Sequence, residues 1–214
     1  MSRIGDIIRF YELMDRLEAR LGGKRTLHEA GSQDGWPARG VYFFFEPGEH
    51  RSDPGDGPRV VRVGTHALKP GSRRLLWQRL SQHRGTIRSG GGNHRGSIFR
   101  LLVGDALKNK RSADEPQSWG VAPDPSQAAR KLGADRPQLL DSELPLEREV
   151  SDHIRAMPFL WLPVDDEPGP DSRRGVIERN SLALLSNYER VGVDPPSATW
   201  LGLWSSRERV RKSG

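Results

Sequence analysis

The segment WQRLSQH places Arg79 and His83 four residues apart, one turn of a helix. In a helix over 72–84, Leu75, Leu76 and Leu80 define an apolar arc of about 140°, and both Arg79 and His83 fall inside it. A charge on a core-facing arc is costly without a partner. Arg79 therefore either pairs with a structural carboxylate or lines a cleft and grips a phosphate. Glu178 raises the same question. A helix over 172–189 would bury Ile177, Ser181, Leu182, Leu184, Leu185 and Tyr188, and Glu178 lies between Leu182 and Leu185 on that wheel. A buried glutamate must be protonated, paired or bound to a metal; a salt bridge to Arg79 is one such pairing. The third candidate is Tyr42, in GVYFFFEPGE. It shares one strand face with Phe44 and Glu46, while Val41, Phe43 and Phe45 share the other. Tyr42 either packs with its hydroxyl hydrogen-bonded or is offered, beside the turn Gly64-Thr65-His66, to a phosphodiester. A phenol, a guanidinium and a carboxylate in one groove would suit phosphodiester hydrolysis, which needs an activated water and positive charge on the phosphate oxygens.

These residues depend on the elements that carry them. Ile4, Ile7, Ile8, Tyr11, Met14, Leu17 and Leu21 recur at helical spacing over 3–21, and Gly22-Gly23 ends the run. After a loop at 24–38, residues 40–46 and 59–64 read as strands joined by the turn-rich loop PGEHRSDPGDGP. Helices are predicted over 72–84, 97–108, 146–157 and 172–189, the last capped by Asp171 or Ser172. FLWLPV, 159–164, reads as a third strand. TIRSGGGNHRG, 86–96, reads as a flexible basic loop. Residues 111–142 read as a polar insertion with one short helix at 126–132. The tail 190–214 is basic and holds Trp200 and Trp204. The expected fold is α/β (α+β): a small three-stranded, mostly antiparallel sheet flanked by helices. Three regions are expected: an N-terminal helix and linker at 1–38, a central domain at 39–189 and the tail at 190–214.

Composition narrows the partners. The net charge is +6 and the isoelectric point about 10.0, which favours an anionic partner. From Lys69 to Arg111 there are eleven basic residues and one acid, Asp105. Segregation on that scale points to a polyanion-binding surface or, failing that, a solvated basic face. Arg74, Arg84, Arg88 and Arg95 are its candidate DNA contacts. The absence of cysteine excludes disulfides, thiolate metal sites and a cysteine nucleophile. No apolar stretch reaches membrane-spanning length, and the acid-bearing amphipathic N-terminus is not a secretory signal, so a cytoplasmic protein is expected. SGGGNHRG lacks the Gly-Lys-Ser/Thr ending of a phosphate-binding loop, and no histidine cluster suggests zinc.

Taken together, Gly40-Val41-Tyr42, Arg62-Val63-Gly64, Arg79 with His83, and Glu178 in IERNSLALLSN resemble the motifs of the GIY-YIG nuclease superfamily, in the same order. The resemblance covers roughly 40–84 and 159–188. It implies a metal-dependent DNA endonuclease, with Glu178 holding one Mg²⁺ or Mn²⁺, Arg79 on the scissile phosphate and Tyr42 orienting or deprotonating the water. It has His83 relay that proton or hydrogen-bond Tyr42, and gives Arg62, Gly64 and His66 roles beside the phosphate. The chain departs from the pattern at Arg62, which stands where the second half-motif has tyrosine. That substitution keeps a second expectation alive: a catalytically inactive nucleic-acid-binding or assembly domain on the same fold.

Overall fold

The computed structural model describes residues 2–214. In chain order it has α1 (Arg3–Leu21), β1 (Arg25–Thr26), β2 (Gly40–His50), β3 (Pro58–Gly64), α2 (Leu76–Arg84), α3 (Ile98–Lys110), α4 (Pro125–Leu132), α5 (Arg136–Ala156), β4 (Pro158–Pro163), α6 (Arg173–Leu185) and α7 (Glu208–Arg211). Short 3₁₀ turns occupy His94–Gly96 and Leu201–Trp204. The chain forms two compact units. The first comprises residues up to Leu80, Ala156–Trp200 and Lys212–Gly214; the second comprises Ser81–Arg155 and Leu201–Arg211.

The first unit is built on a four-stranded antiparallel sheet of order β1-β4-β2-β3. The pattern of β2 explains why both of its faces are covered. Val41, Phe43 and Phe45 point one way, with Val63 and Leu160, onto Ile7, Phe10, Met14 and Leu17 of α1 and Ile177, Leu184 and Leu185 of α6. Tyr42 and Phe44 point the other way. There they join Phe159, Trp161, Trp36 and Trp77 in an aromatic layer with ring centroids 4.8–6.0 Å apart. Gly22, left-handed at φ 75°, ends α1 as the Gly-Gly pair predicts.

Several boundaries differ from the sequence reading. The sheet gains β1, a two-residue strand with too little pattern to register. β2 continues through Pro47 and Gly48 to His50, with register shifts after Phe44 and Phe45, so the expected long loop shrinks to 51–57. α6 stops at Leu185, and its cap is the Ser172 hydroxyl, accepting from the Gly175 N–H.

The second unit is organised by α5, which runs through Pro145 and begins inside the segment read as an insertion. Its buried stripe is Leu139, Glu143, Leu146, Glu147, Val150, Ser151 and Ile154. The two glutamates are the counter-charges of buried arginines. Arg95 makes a bidentate pair with Glu143, both bonds 2.7 Å, and Arg100 pairs with Glu147. Glu147 also accepts from the His94 backbone N–H at 2.6 Å and meets the His94 ring at 2.9 Å. The loop 86–96 is therefore pinned at its C-terminal end rather than free.

Candidate functional site

Antiparallel pairing brings the start of β2 against the end of β3, with Tyr42 opposite Gly64 and Phe44 opposite Arg62. Tyr42, Gly64 and Arg62 therefore lie on one sheet face. Tyr42 is fully buried, and its ring lies over Gly64: a Cβ there would stand 2.5 Å from the phenol oxygen. Only glycine leaves room for the ring. The next residue, Thr65, donates its hydroxyl to the Gly40 carbonyl at 2.8 Å and its backbone N–H to Glu178 Oε1 at 3.2 Å. The carboxylate of α6 and the phenol of β2 thus meet adjacent residues at one strand end.

α2 approaches the same sheet end. The Leu76 N–H donates to the Ala38 carbonyl at 2.9 Å, and Leu76 packs where a Cβ on Gly40 would sit, 3.3 Å away. Arg79, half-buried, follows one turn later. Its charge reaches His66, which is 5% exposed with neither ring nitrogen in hydrogen-bond geometry. Burial, then the cations Arg174, Arg79 and Arg39, push the His66 pKa down to about 4, against the pull of the Ala38 carbonyl. His66 is therefore a neutral imidazole at neutral pH.

Sequence reasoning missed the brace of this corner. Arg174, fully buried and one helical turn before Glu178, donates to Asp166 and to the His66 carbonyl, and reaches the Ala67 carbonyl at 3.5 Å. Two side chains of α6, four residues apart, so grip the backbone of 65–67: one accepting, one donating. Asp166 is pushed up by partial desolvation but drawn down further by hydrogen bonds from Arg174 and Ser172, to about 2.

The Arg79–Glu178 salt bridge, one pairing the sequence left open, is not formed: Glu178 spends Oε1 on Thr65, and no other described residue engages Oε2. A carboxylate with one anchored and one open oxygen suits Mg²⁺ or Mn²⁺, which keep waters and take phosphate oxygens as further ligands. No group of three or more acids or histidines is gathered among the described residues, so a multi-carboxylate cage does not fit.

Arg74 is exposed in the segment leading into α2. His83 belongs to the second unit, where it is fully buried with Nδ1 2.8 Å from the Ser97 hydroxyl and its ring edge-on to Phe99. Arg95 is committed to Glu143 and to the Ser118 and Val121 carbonyls. Arg84 is half-buried and Arg88 exposed. No helix is long and apolar enough to cross a membrane.

No curated protein and no solved structure matches the chain significantly. A family model described as a GIY-YIG domain matches residues 1–214, which takes in α1, the segment 111–142 and the tail that the motif-level resemblance left outside. The chain belongs to the GIY-YIG domain family and carries its nuclease-type fold.

Proposed function

We propose that this chain is a metal-dependent DNA endonuclease. The observation that carries the reading is the hydrogen bond from the Thr65 N–H to Glu178 Oε1, 3.2 Å, one residue beyond the glycine that faces the Tyr42 phenol. Glu178 would hold one Mg²⁺ or Mn²⁺ through its open oxygen; the bound ion supplies positive charge to the phosphate and an acidified water. Arg79 binds non-bridging phosphate oxygens with charge-assisted hydrogen bonds. Tyr42 orients the attacking water, and its own proton leaves only where cationic neighbours lower its affinity. Arg62, on the Tyr42 face, adds a permanent charge to that groove. His66, kept neutral, can accept a hydrogen bond that a charged imidazole cannot. Arg95, whose guanidinium is taken by Glu143 and the Ser118 and Val121 carbonyls, is left without a DNA contact.

Supercoiled plasmid incubated with Mg²⁺ or Mn²⁺ should be nicked or linearised. Glu178→Ala and Arg79→Ala should each lower that rate on the order of 100-fold or more, with duplex binding retained. A parent protein that binds duplex and never cuts it under either ion would overturn the enzyme reading.

Two observations favour a second reading, a silent nucleic-acid-binding domain: Arg62 stands where the pattern has tyrosine, and Tyr42 has no exposed surface. Tyr42→Phe separates the two. Loss of cutting with an unchanged melt supports the enzyme; in a silent domain the substitution alters packing alone.

A further inference from the structure

The second unit carries a loop that the site above does not use. Gly85, at φ 77°, turns the chain out of α2, and the Thr86 N–H donates to the Gly91 carbonyl at 2.7 Å to close a short finger. Within it the Gly90 N–H reaches the Ile87 carbonyl at 3.3 Å. Ile87 at the tip is 68% exposed, and Arg88 beside it is exposed as well.

Two α5 arginines brace the finger from beneath. Arg155 donates Nε to the Arg84 carbonyl at 2.9 Å and Nη2 to the Thr86 carbonyl at 3.3 Å; Arg148 donates Nε to the Ser89 carbonyl at 2.9 Å. The finger's C-terminal side is packed down, since a Cβ on Gly91 would lie 2.7 Å from Leu144 Cδ1. Neither Arg148 nor Arg155 uses all its donors: both Nη atoms of Arg148 and Nη1 of Arg155 engage no described residue. Arg84 and Arg155 each have a lowered pKa, from burial first; Arg84 is lowered further by Arg155, and Arg155 by Arg100 against the opposing pull of Asp152. Arg148 and Arg155 thus gather at the loop that carries Arg88; Asp152 acts on Arg155, and the one acid against the loop itself, Glu147, is spent on Arg100 and His94.

A fold gains nothing by holding like charges together, so the arrangement calls for an anion that accepts from planar guanidinium forks, which phosphates do. An apolar tip flanked by arginines is the device by which proteins pry into the minor groove and partly unstack a base step. One isoleucine buries too little surface to hold a protein on a bilayer. We propose that residues 85–91 form a DNA-wedging finger: Arg88, Arg148 and Arg155 clamp the backbone of a duplex while Ile87 enters its minor groove. The choice of duplex DNA as partner rests on the nuclease reading; the finger itself does not.

The test uses the full chain in EDTA, where no cutting is possible, and a short duplex carrying the fluorescent base analogue aminopurine. The parent should bind with a rise in aminopurine emission. Ile87→Ala should bind about fivefold more weakly, with the emission rise lost and the salt dependence unchanged. Arg88→Ala should keep the rise but reduce the slope of log K against log salt by about one. Ile87→Ala and Arg88→Ala matching the parent in affinity, slope and emission would sink the finger. So would binding of the parent to phosphatidylglycerol vesicles and not to duplex. Wedge signals from a protein that never nicks plasmid would leave the finger standing and end the nuclease reading alone.

Discussion

Arg174 sets the residue-scale logic of the corner where β3 ends. Its guanidinium is wholly enclosed and reaches both Asp166 and the carbonyls of residues 66 and 67. Removing it takes the counter-charge from Asp166, which keeps only the Ser172 hydroxyl and a main-chain N–H, and strands two main-chain acceptors, so Arg174→Ala should cost about 3–5 kcal/mol in urea unfolding. Glu178→Ala loses a single hydrogen bond at a half-buried site and should cost only about 1 kcal/mol. The contrast separates a brace from the carboxylate proposed to hold the metal. Sequence periodicity exposed Glu178 and Arg79 because each interrupts an apolar arc. It could not expose Arg174, whose partners are Asp166 and backbone oxygens that leave no pattern. Nor could it tell that Glu178 would anchor on a main-chain N–H rather than on Arg79.

At the scale of elements, the β2–β3 register decides what the first unit can do. A one-residue slip would move Tyr42 to the α1 face and Phe43 to the aromatic layer. Gly64→Ala is the sharpest probe of that register, because the new methyl would stand 2.5 Å from the Tyr42 ring. A fully buried ring edge-on to Phe44 has little freedom to retreat, so a loss of about 1–3 kcal/mol is expected in thermal melts. The elements themselves were largely legible. Strong apolar repeats located α1, β2, β3, β4 and α6 within a few residues. α5 was harder: Pro145 and the mostly polar residues at 136–142 hid nearly three turns at its start. Glu143 and Glu147, set among Leu139, Leu146 and Val150, were the available signal that this helix keeps arginines inside.

For the whole molecule, the basic excess of 69–111 overstates what is left for a partner. Arg95, Arg100 and Arg111 are paired with acids of α5, and Lys108 donates to the carbonyls of Asp114 and Pro116. A count along the chain cannot see counter-charges that arrive from forty residues away. The perturbed acids and histidine instead dictate how stability responds to pH. Asp166 is held at about 2 against an ordinary 3.8, so its contribution is complete above about 3.8 and is lost as pH falls towards 2. Glu147, pushed up by burial but pulled lower by His94 and Arg100, acts in the same direction. His66, at about 4 against 6.5, favours the folded state fully above about 6.5 and progressively less as pH falls through 4. Unfolding free energy should therefore decline steadily from pH 7 to pH 3, and Asp166→Asn and His66→Asn should each flatten part of that decline. A denaturation series that is level across the range would contradict these environments.

The ring of Tyr42 resting on the bare Cα of Gly64 binds two positions far apart in sequence into one choice. Any side chain at 64 presupposes a smaller neighbour at 42, and an aromatic at 42 forbids one at 64. Evolution can thus abandon the phenol without harm only by filling the space it leaves, which makes the pair a record of whether a lineage has kept that ring.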